Sequence, residues 1–217
     1  MKIYVLHSSN LTKRKKHILQ EFRTHNINNF EFIEKYDARE ITEDESKVFD
    51  KDYKRSLMSL FLKHVYVYQY ITKYNKDDNN DNEPTLIFED DVILSEDFNE
   101  TVDAYIKEAN KAPENYDMLF IGSGYNLHIN KEVITEDKHV YKNPYTRATD
   151  SYIITNKCAK KLCDYFVNDT KDTNDKITVP IDMWLNKAII DKQLNVYWCE
   201  PTIVCQGSQS GLFEKSL

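Results

Sequence analysis

The run PTLIFEDDVIL, residues 84–94, drives Leu86, Ile87 and Phe88 straight into three consecutive carboxylates, Glu89, Asp90 and Asp91, and then resumes with Val92, Ile93 and Leu94. An unbroken apolar run without polar alternation suits a strand buried on both faces, which requires helices packed above and below it. Three adjacent acids at the end of such a strand repel one another unless a cation compensates them. In open α/β sheets ligands bind beyond the carboxyl ends of the strands, where this cluster falls. Oxygen donors suit Mg²⁺ or Mn²⁺, and a strand-end carboxylate can bridge such an ion to phosphates. The plain alternative is a solvated strand-to-loop junction; the apolar residues on both sides argue for a crevice instead.

The rest of the chain supports that setting. KIYVLH reads as a strand, followed by a helix over roughly Thr12–Phe22 and a second strand, FEFIEKYDA. In RSLMSLFLKHVYVYQYITKY, Leu57, Leu60, Phe61, Val65, Tyr68 and Ile71 recur every three or four positions, the mark of an amphipathic helix with His64 on its apolar stripe. NKDDNNDNE reads as a polar loop, and a helix follows Ser95 as far as about Ala112, with Asp97 in its first turn. YDMLFIG and SYIIT read as strands, Asn156 as the cap of helix KCAKKLCDYFV, and Pro180 as the first turn of PIDMWLNKAII. Two short strands flank Pro201 before a polar tail. Strands alternate with helices throughout, which predicts an α/β fold, a mostly parallel open sheet flanked by helices, in a single domain over residues 1–217.

Composition narrows the function. The 217 residues carry Lys+Arg 29 against Asp+Glu 36, a net charge of -7, and KRKK at Lys13–Lys16 is the one basic run. That balance excludes a duplex nucleic-acid binder, whose affinity rests on neutralising phosphates. A chain of this size buries roughly 70% of its unfolded surface and needs no disulfide or metal to fold. Cys158, Cys163, Cys199 and Cys205 lack the CxxC spacing of zinc sites and read as free thiols of a reducing compartment. The opening apolar stretch is too short for a signal peptide, and no apolar run approaches a membrane span, so the expectation is a cytoplasmic protein.

Other phosphate-binding devices are lacking. GSGYNL at Gly122 matches only half of GxGxxG, with Leu127 at the third glycine, and no GxxxxGK[ST] occurs. A cation would therefore do most of the work on a diphosphate. His64, Asp182 and Arg14 each have a structural reading as well: a core histidine, an acid facing a helix dipole and a solvated helix face.

Taken in order, these motifs resemble glycosyltransferase family 25, the lipooligosaccharide galactosyltransferases and collagen hydroxylysine galactosyltransferase domains. IYVLHSSNLTKRKK resembles the family's opening strand and Arg-containing helix, placing Arg14. KYDAR resembles its vDG segment, placing Asp37, and LKHVYVY its LSHxxxW helix, placing His64. FEDDVIL, YDMLFIG, TDSYIITNKCAKKL, VPIDMWL and EPTIVCQGSQS follow in the family's order. Four positions depart: His7 and Ser8 replace an early NL, Lys63 stands where serine is usual, and Ala38 replaces a glycine.

The resemblance implies a GT-A-like fold, a UDP-sugar donor, Mn²⁺ (or Mg²⁺) and inversion at the anomeric carbon. It places Asp91 and Asp90 at the metal, with Ser8, Arg14, Asp37, His64, Glu89, Asp90 and Gln206 at the donor and Asp182 as general base. Galactose is the family's commonest donor sugar; the acceptor is a hydroxyl of a glycan or of hydroxylysine on a collagen-like protein. A non-catalytic nucleotide-sugar-binding protein retaining the fold is the alternative. A glycoside hydrolase needs two carboxyl groups facing each other across the sugar, which adjacent strand residues do not supply.

Overall fold

The computed structural model describes residues 1–74, 81–171 and 176–214. Its elements in chain order are β1 (Lys2–Leu6), α1 (Thr12–Thr24), β2 (Phe30–Ile33), α2 (Glu43–Ser46), α3 (Arg55–Tyr74), β3 (Pro84–Glu89), β4 (Val92–Leu94), α4 (Phe98–Ala109), β5 (Met118–Phe120), β6 (Val140–Lys142), β7 (Ser151–Thr155), α5 (Asn156–Asp169), α6 (Ile181–Asp191), β8 (Val196–Cys199), β9 (Val204–Gln206) and α7 (Gly207–Ser210). Much of the polar loop expected before Pro84, residues 75–80, lies outside the described residues, as does the end of the expected tail, 215–217.

Seven strands form one sheet in the order β2-β1-β3-β7-β5-β8-β6, and β4 pairs with β9 in a separate two-stranded ribbon. β1, β2, β3, β5 and β8 share one direction, while β7 and β6 run against their neighbours. The sheet is mostly parallel by strand direction, with β7 inserted antiparallel between β3 and β5. That insertion sets the start of β7 beside the end of β3, Ser151 opposite Phe88.

The period of two along each strand divides the core. Tyr4, Leu6, Ile87, Tyr152 and Ile154 face one layer with Phe61, Tyr68, Leu162 and Trp184 from α3, α5 and α6. Ile3, Val5, Leu86, Phe88 and Ile153 face the other, with Ile18, Phe22, Phe98 and Val102 from α1 and α4. Burial on both faces is why these strands read as continuous apolar runs.

Three local expectations shift. β2 ends at Ile33 because the Lys63 ammonium takes the next two carbonyls, Glu34 at 3.0 Å and Lys35 at 2.9 Å, and Tyr36 then turns at φ 69°. The cap of α5 is Thr155, whose hydroxyl accepts from the Cys158 N–H at 3.2 Å; it is the last, still extended residue of β7, whereas Asn156 is already helical. Asp97 precedes α4 instead of lying in its first turn, and its carboxylate accepts from the Thr101 hydroxyl at 2.9 Å. All four cysteines are free thiols. Among the described residues no helix is long and apolar enough to cross a membrane.

Candidate active site

The acids after β3 divide between two environments. On the β1 side, Asp90 is fully engaged: His7 Nδ1 lies 2.7 Å from Oδ2, and Arg14 Nη1 donates to Oδ1 at 2.9 Å. Arg14 is not a solvated residue of α1; it is 7% exposed, with Nη2 donating to the Glu214 carbonyl at 3.0 Å and its guanidinium 5.5 Å from the Phe213 ring. Asp37 is engaged in the same way. It accepts from the Ser9 N–H at 2.9 Å, the Ser9 hydroxyl at 2.5 Å and Lys63 Nζ at 2.8 Å. Burial works to raise its pKa, but the hydrogen bonds from Lys63 and Ser9 win and hold it below the usual carboxylate range. The two departures His7 and Lys63 are thus the partners of two motif acids. Together with Ser8, Ser9, Arg14 and Glu89 these groups line a crevice of about 340 Å³ at the ends of β1 and β3.

On the β7 side the acids face one another. Asp91 is 1% exposed; Oδ2 accepts from the Ser208 N–H at 3.2 Å and lies 3.4 Å from Arg14 Nη1, while Oδ1 is buried with no hydrogen-bond partner. Burial, then the charge of Glu89, raises its pKa. Asp150, just before β7, is 1% exposed; Oδ2 accepts from the Ser151 hydroxyl at 2.9 Å, and Oδ1 has no partner. Burial, followed by the Glu89 charge, pushes its pKa up to about 8. Glu89 accepts from the Thr149 hydroxyl at 2.8 Å, with His64 Nε2 3.9 Å from Oε1. His64 is fully buried; its Nδ1 lies 2.8 Å from the Tyr152 hydroxyl, itself 2.7 Å from that of Tyr68.

The GSG segment proves to be a cradle for Asp150. A Cβ at Gly122 would sit 2.1 Å from Asp150 Oδ2, and one at Gly124 2.7 Å from Oδ1, so only glycine admits the carboxyl here. Asp182 stands in the first turn of α6, half-buried, its Oδ1 accepting from the Met183 N–H at 2.9 Å. It bonds to none of the other expected site residues; its charge, with those of Glu89 and Asp150, acts on the phenol of Tyr125. Gln206 is half-buried in β9 opposite Val92, and its Oε1 accepts from Gln209 Nε2 at 2.6 Å.

Among the described residues no group of three or more His, Cys, Asp or Glu is arranged to hold a metal by itself. The donor set fits a cation bound in part by a ligand: Asp91 keeps a buried oxygen free, whereas both Asp90 oxygens are already taken. Of the expected pair Asp90 and Asp91, Asp91 is the one with an oxygen free of hydrogen bonds. The sequence reading missed Asp150, Thr149 and Tyr125. An acid leading into an apolar strand, as in TDSYIIT, mirrors FEDD, and that symmetry was the available signal.

The family model of glycosyltransferase family 25 (LPS biosynthesis protein) matches residues 1–185. The chain belongs to this family. Family 25 membership makes its chemistry glycosyl transfer from a nucleotide-sugar donor. No curated protein matches the sequence. Among solved structures, a glycosyltransferase involved in the glycosylation of the major capsid of PBCV-1 is similar at 11% identity and TM-score 0.50, covering 95% of this chain and 94% of that one. The inositol-1-phosphate CTP transferase from T. maritima has 14% identity and TM-score 0.42 over 94% of this chain and 88% of its own. The fold of this family 25 chain is GT-A-like.

Proposed function

We propose that this family 25 chain transfers a hexose, galactose in the first instance, from a UDP-sugar to a hydroxyl of a glycan or hydroxylysine acceptor, with inversion and with Mn²⁺ or Mg²⁺ as cofactor. One observation supports this above the others: Asp91 keeps Oδ1 buried and unpartnered, with burial and then the Glu89 charge raising its pKa. Asp91 would hold the cation, which when bound stabilises the negative charge of the leaving diphosphate.

The residues of the chain divide the remaining work. The crevice along Ser8, Asp37 and Asp90 accepts the nucleoside diphosphate, and the engaged pairs His7–Asp90 and Lys63–Asp37 keep its wall rigid. Arg14 supplies fixed positive charge beside the diphosphate. His64 Nε2, buried without a hydrogen-bond partner beside Glu89, is available to donate to the donor. Asp182 approaches from α6, and its Oδ2, left free by the bond from Met183 to Oδ1, accepts the proton of the acceptor hydroxyl. The acceptor oxygen then bonds to the anomeric carbon as the bond from that carbon to the diphosphate oxygen breaks, UDP leaving with the electron pair. One displacement of this kind inverts the configuration.

Calorimetric titration of UDP with Mn²⁺ and with EDTA tests the donor half of this reading. Binding at least ten-fold tighter with Mn²⁺ is expected, and equal affinity in EDTA rejects the cation. For the acceptor half, Asp182→Asn is expected to retain UDP affinity while transfer falls at least 100-fold. Near-normal turnover in that variant means another group takes the proton.

A further inference from the structure

The turn after β5 carries a cost that folding does not require. Tyr125 holds φ 53° and ψ 23°, and Asn126 follows at φ 55°. Left-handed backbone suits glycine or asparagine, and strain of this kind at a bulky residue points to use of its side chain. The Tyr125 ring is 70% exposed, so no packing gain repays the strain.

The turn is nonetheless held firmly. Buried Arg147 donates from Nε to the Leu127 carbonyl at 2.6 Å and from Nη1 to the Cys199 carbonyl at 2.7 Å, and pairs with Glu200, which also accepts from the Ile129 N–H at 3.0 Å. Gly124 is pressed against Ala148, where a Cβ would stand 2.4 Å from the alanine methyl. The ring is therefore displayed by a rigid support.

Its surroundings specify a ligand class. Leu127, Tyr145 and Met183 are also exposed. Thr146, next to Tyr145, binds α6 through its N–H to Asn186 Oδ1 at 2.8 Å, and its hydroxyl lies 3.5 Å from the Asp182 carbonyl. Met183 thus follows Asp182 directly, and Tyr145 is carried to the same end of α6 by Thr146. Burial first, then the charges of Asp182, Glu89 and Asp150, raise the Tyr125 phenol and keep it a hydrogen-bond donor. An exposed aromatic face under the charge of half-buried Asp182 matches a pyranose, whose C–H face packs on the ring while a hydroxyl donates to that acid.

We propose that Tyr125 is the platform on which the acceptor's hexopyranose ring rests, turning one hydroxyl toward Asp182. This rests on the reading of Asp182 as the general base. It commits the acceptor to a sugar, since a peptide chain gains nothing comparable from the exposed ring.

Saturation-transfer NMR with methyl β-galactopyranoside and methyl β-glucopyranoside, in the presence of UDP and Mg²⁺, tests the platform. Saturation of ring C–H protons of at least one glycoside is expected. It should fall at least five-fold in Tyr125→Asn, which suits the left-handed backbone, and stay within two-fold in Tyr125→Phe. UDP affinity should stay within two-fold in both variants, which also shows that they are folded. Saturation unchanged in Tyr125→Asn overturns the platform, as does its absence from both glycosides on the wild-type chain or its transfer through Tyr125 to a hydroxylysine peptide instead. The two readings fail separately. Tyr125-dependent saturation with no UDP binding removes the donor assignment and leaves the platform; UDP binding with Tyr125-independent saturation does the reverse.

Discussion

The two banks of the crevice hold acids in opposite ways. On the β1 bank, Asp37 and Asp90 each have a cationic or histidine partner within 3 Å and backbone N–H donors besides. On the β7 bank, Glu89, Asp91 and Asp150 raise one another's cost, and two of their buried oxygens have no partner. Removing one partner from a buried ion pair is strongly destabilising, whereas removing one of several mutually repelling acids relieves the fold. The first bank is therefore built for stability and shape. The second holds buried acids whose mutual repulsion is only partly offset by Arg14, 3.4 Å from Asp91 Oδ2.

The largest effect that divides the banks is expected at Asp91. Asp91→Asn preserves shape and removes the charge, so transfer should fall at least about 1000-fold, about 4 kcal/mol of transition-state stabilisation, while stability in EDTA is unchanged or rises. Rates of UDP release with and without Mn²⁺, together with denaturant unfolding, check both halves. A variant that loses stability and keeps Mn²⁺ stimulation would place Asp91 on the wrong bank. Next in size is Lys63→Ala, which leaves Asp37 short of its cation and strips the Glu34 and Lys35 carbonyls of their donor. A loss of about 3 kcal/mol in urea unfolding is expected. A loss below about 1 kcal/mol would show that the pair contributes little, as exposed pairs do.

The contrast between the banks was only half legible in the sequence. FEDD following an apolar strand exposed the acid cluster, and the stripe of α3 placed His64 inside, because both signals are local and periodic. Sheet order is not local: β7 lies between β3 and β5, and the pair Thr149–Glu89 joins positions 60 residues apart. Asp150 was therefore signalled only by its place ahead of an apolar strand, and GSG, too incomplete for a phosphate loop, gave no sign that its glycines make room for that carboxyl. His7 and Lys63 stood out as departures from the family pattern. Their role as partners of Asp90 and Asp37 emerges only when β1, α3 and the β3 end are brought together.

The smallest effect is also the most selective, because it asks the β7 bank to reveal its repulsion without any ligand. Asp150 titrates near 3.8 in the unfolded chain and at about 8 in the folded one. Between those values the folded state binds the extra proton, so stability contributed by the protonated carboxyl is fully present below about pH 4 and is lost as pH rises toward 8. Asp150→Asn cannot lose that proton, so part of the decline should vanish. Asp91, raised by burial and then by the Glu89 charge, competes for the same proton, and the flattening should therefore be about 2 kcal/mol across pH 4–8 in EDTA, less than the full linkage of one isolated buried acid. Urea midpoints along that range measure it for both proteins. Parallel profiles would mean that Asp150 is already ionised and compensated, and the distinction between the two banks would lose its physical basis.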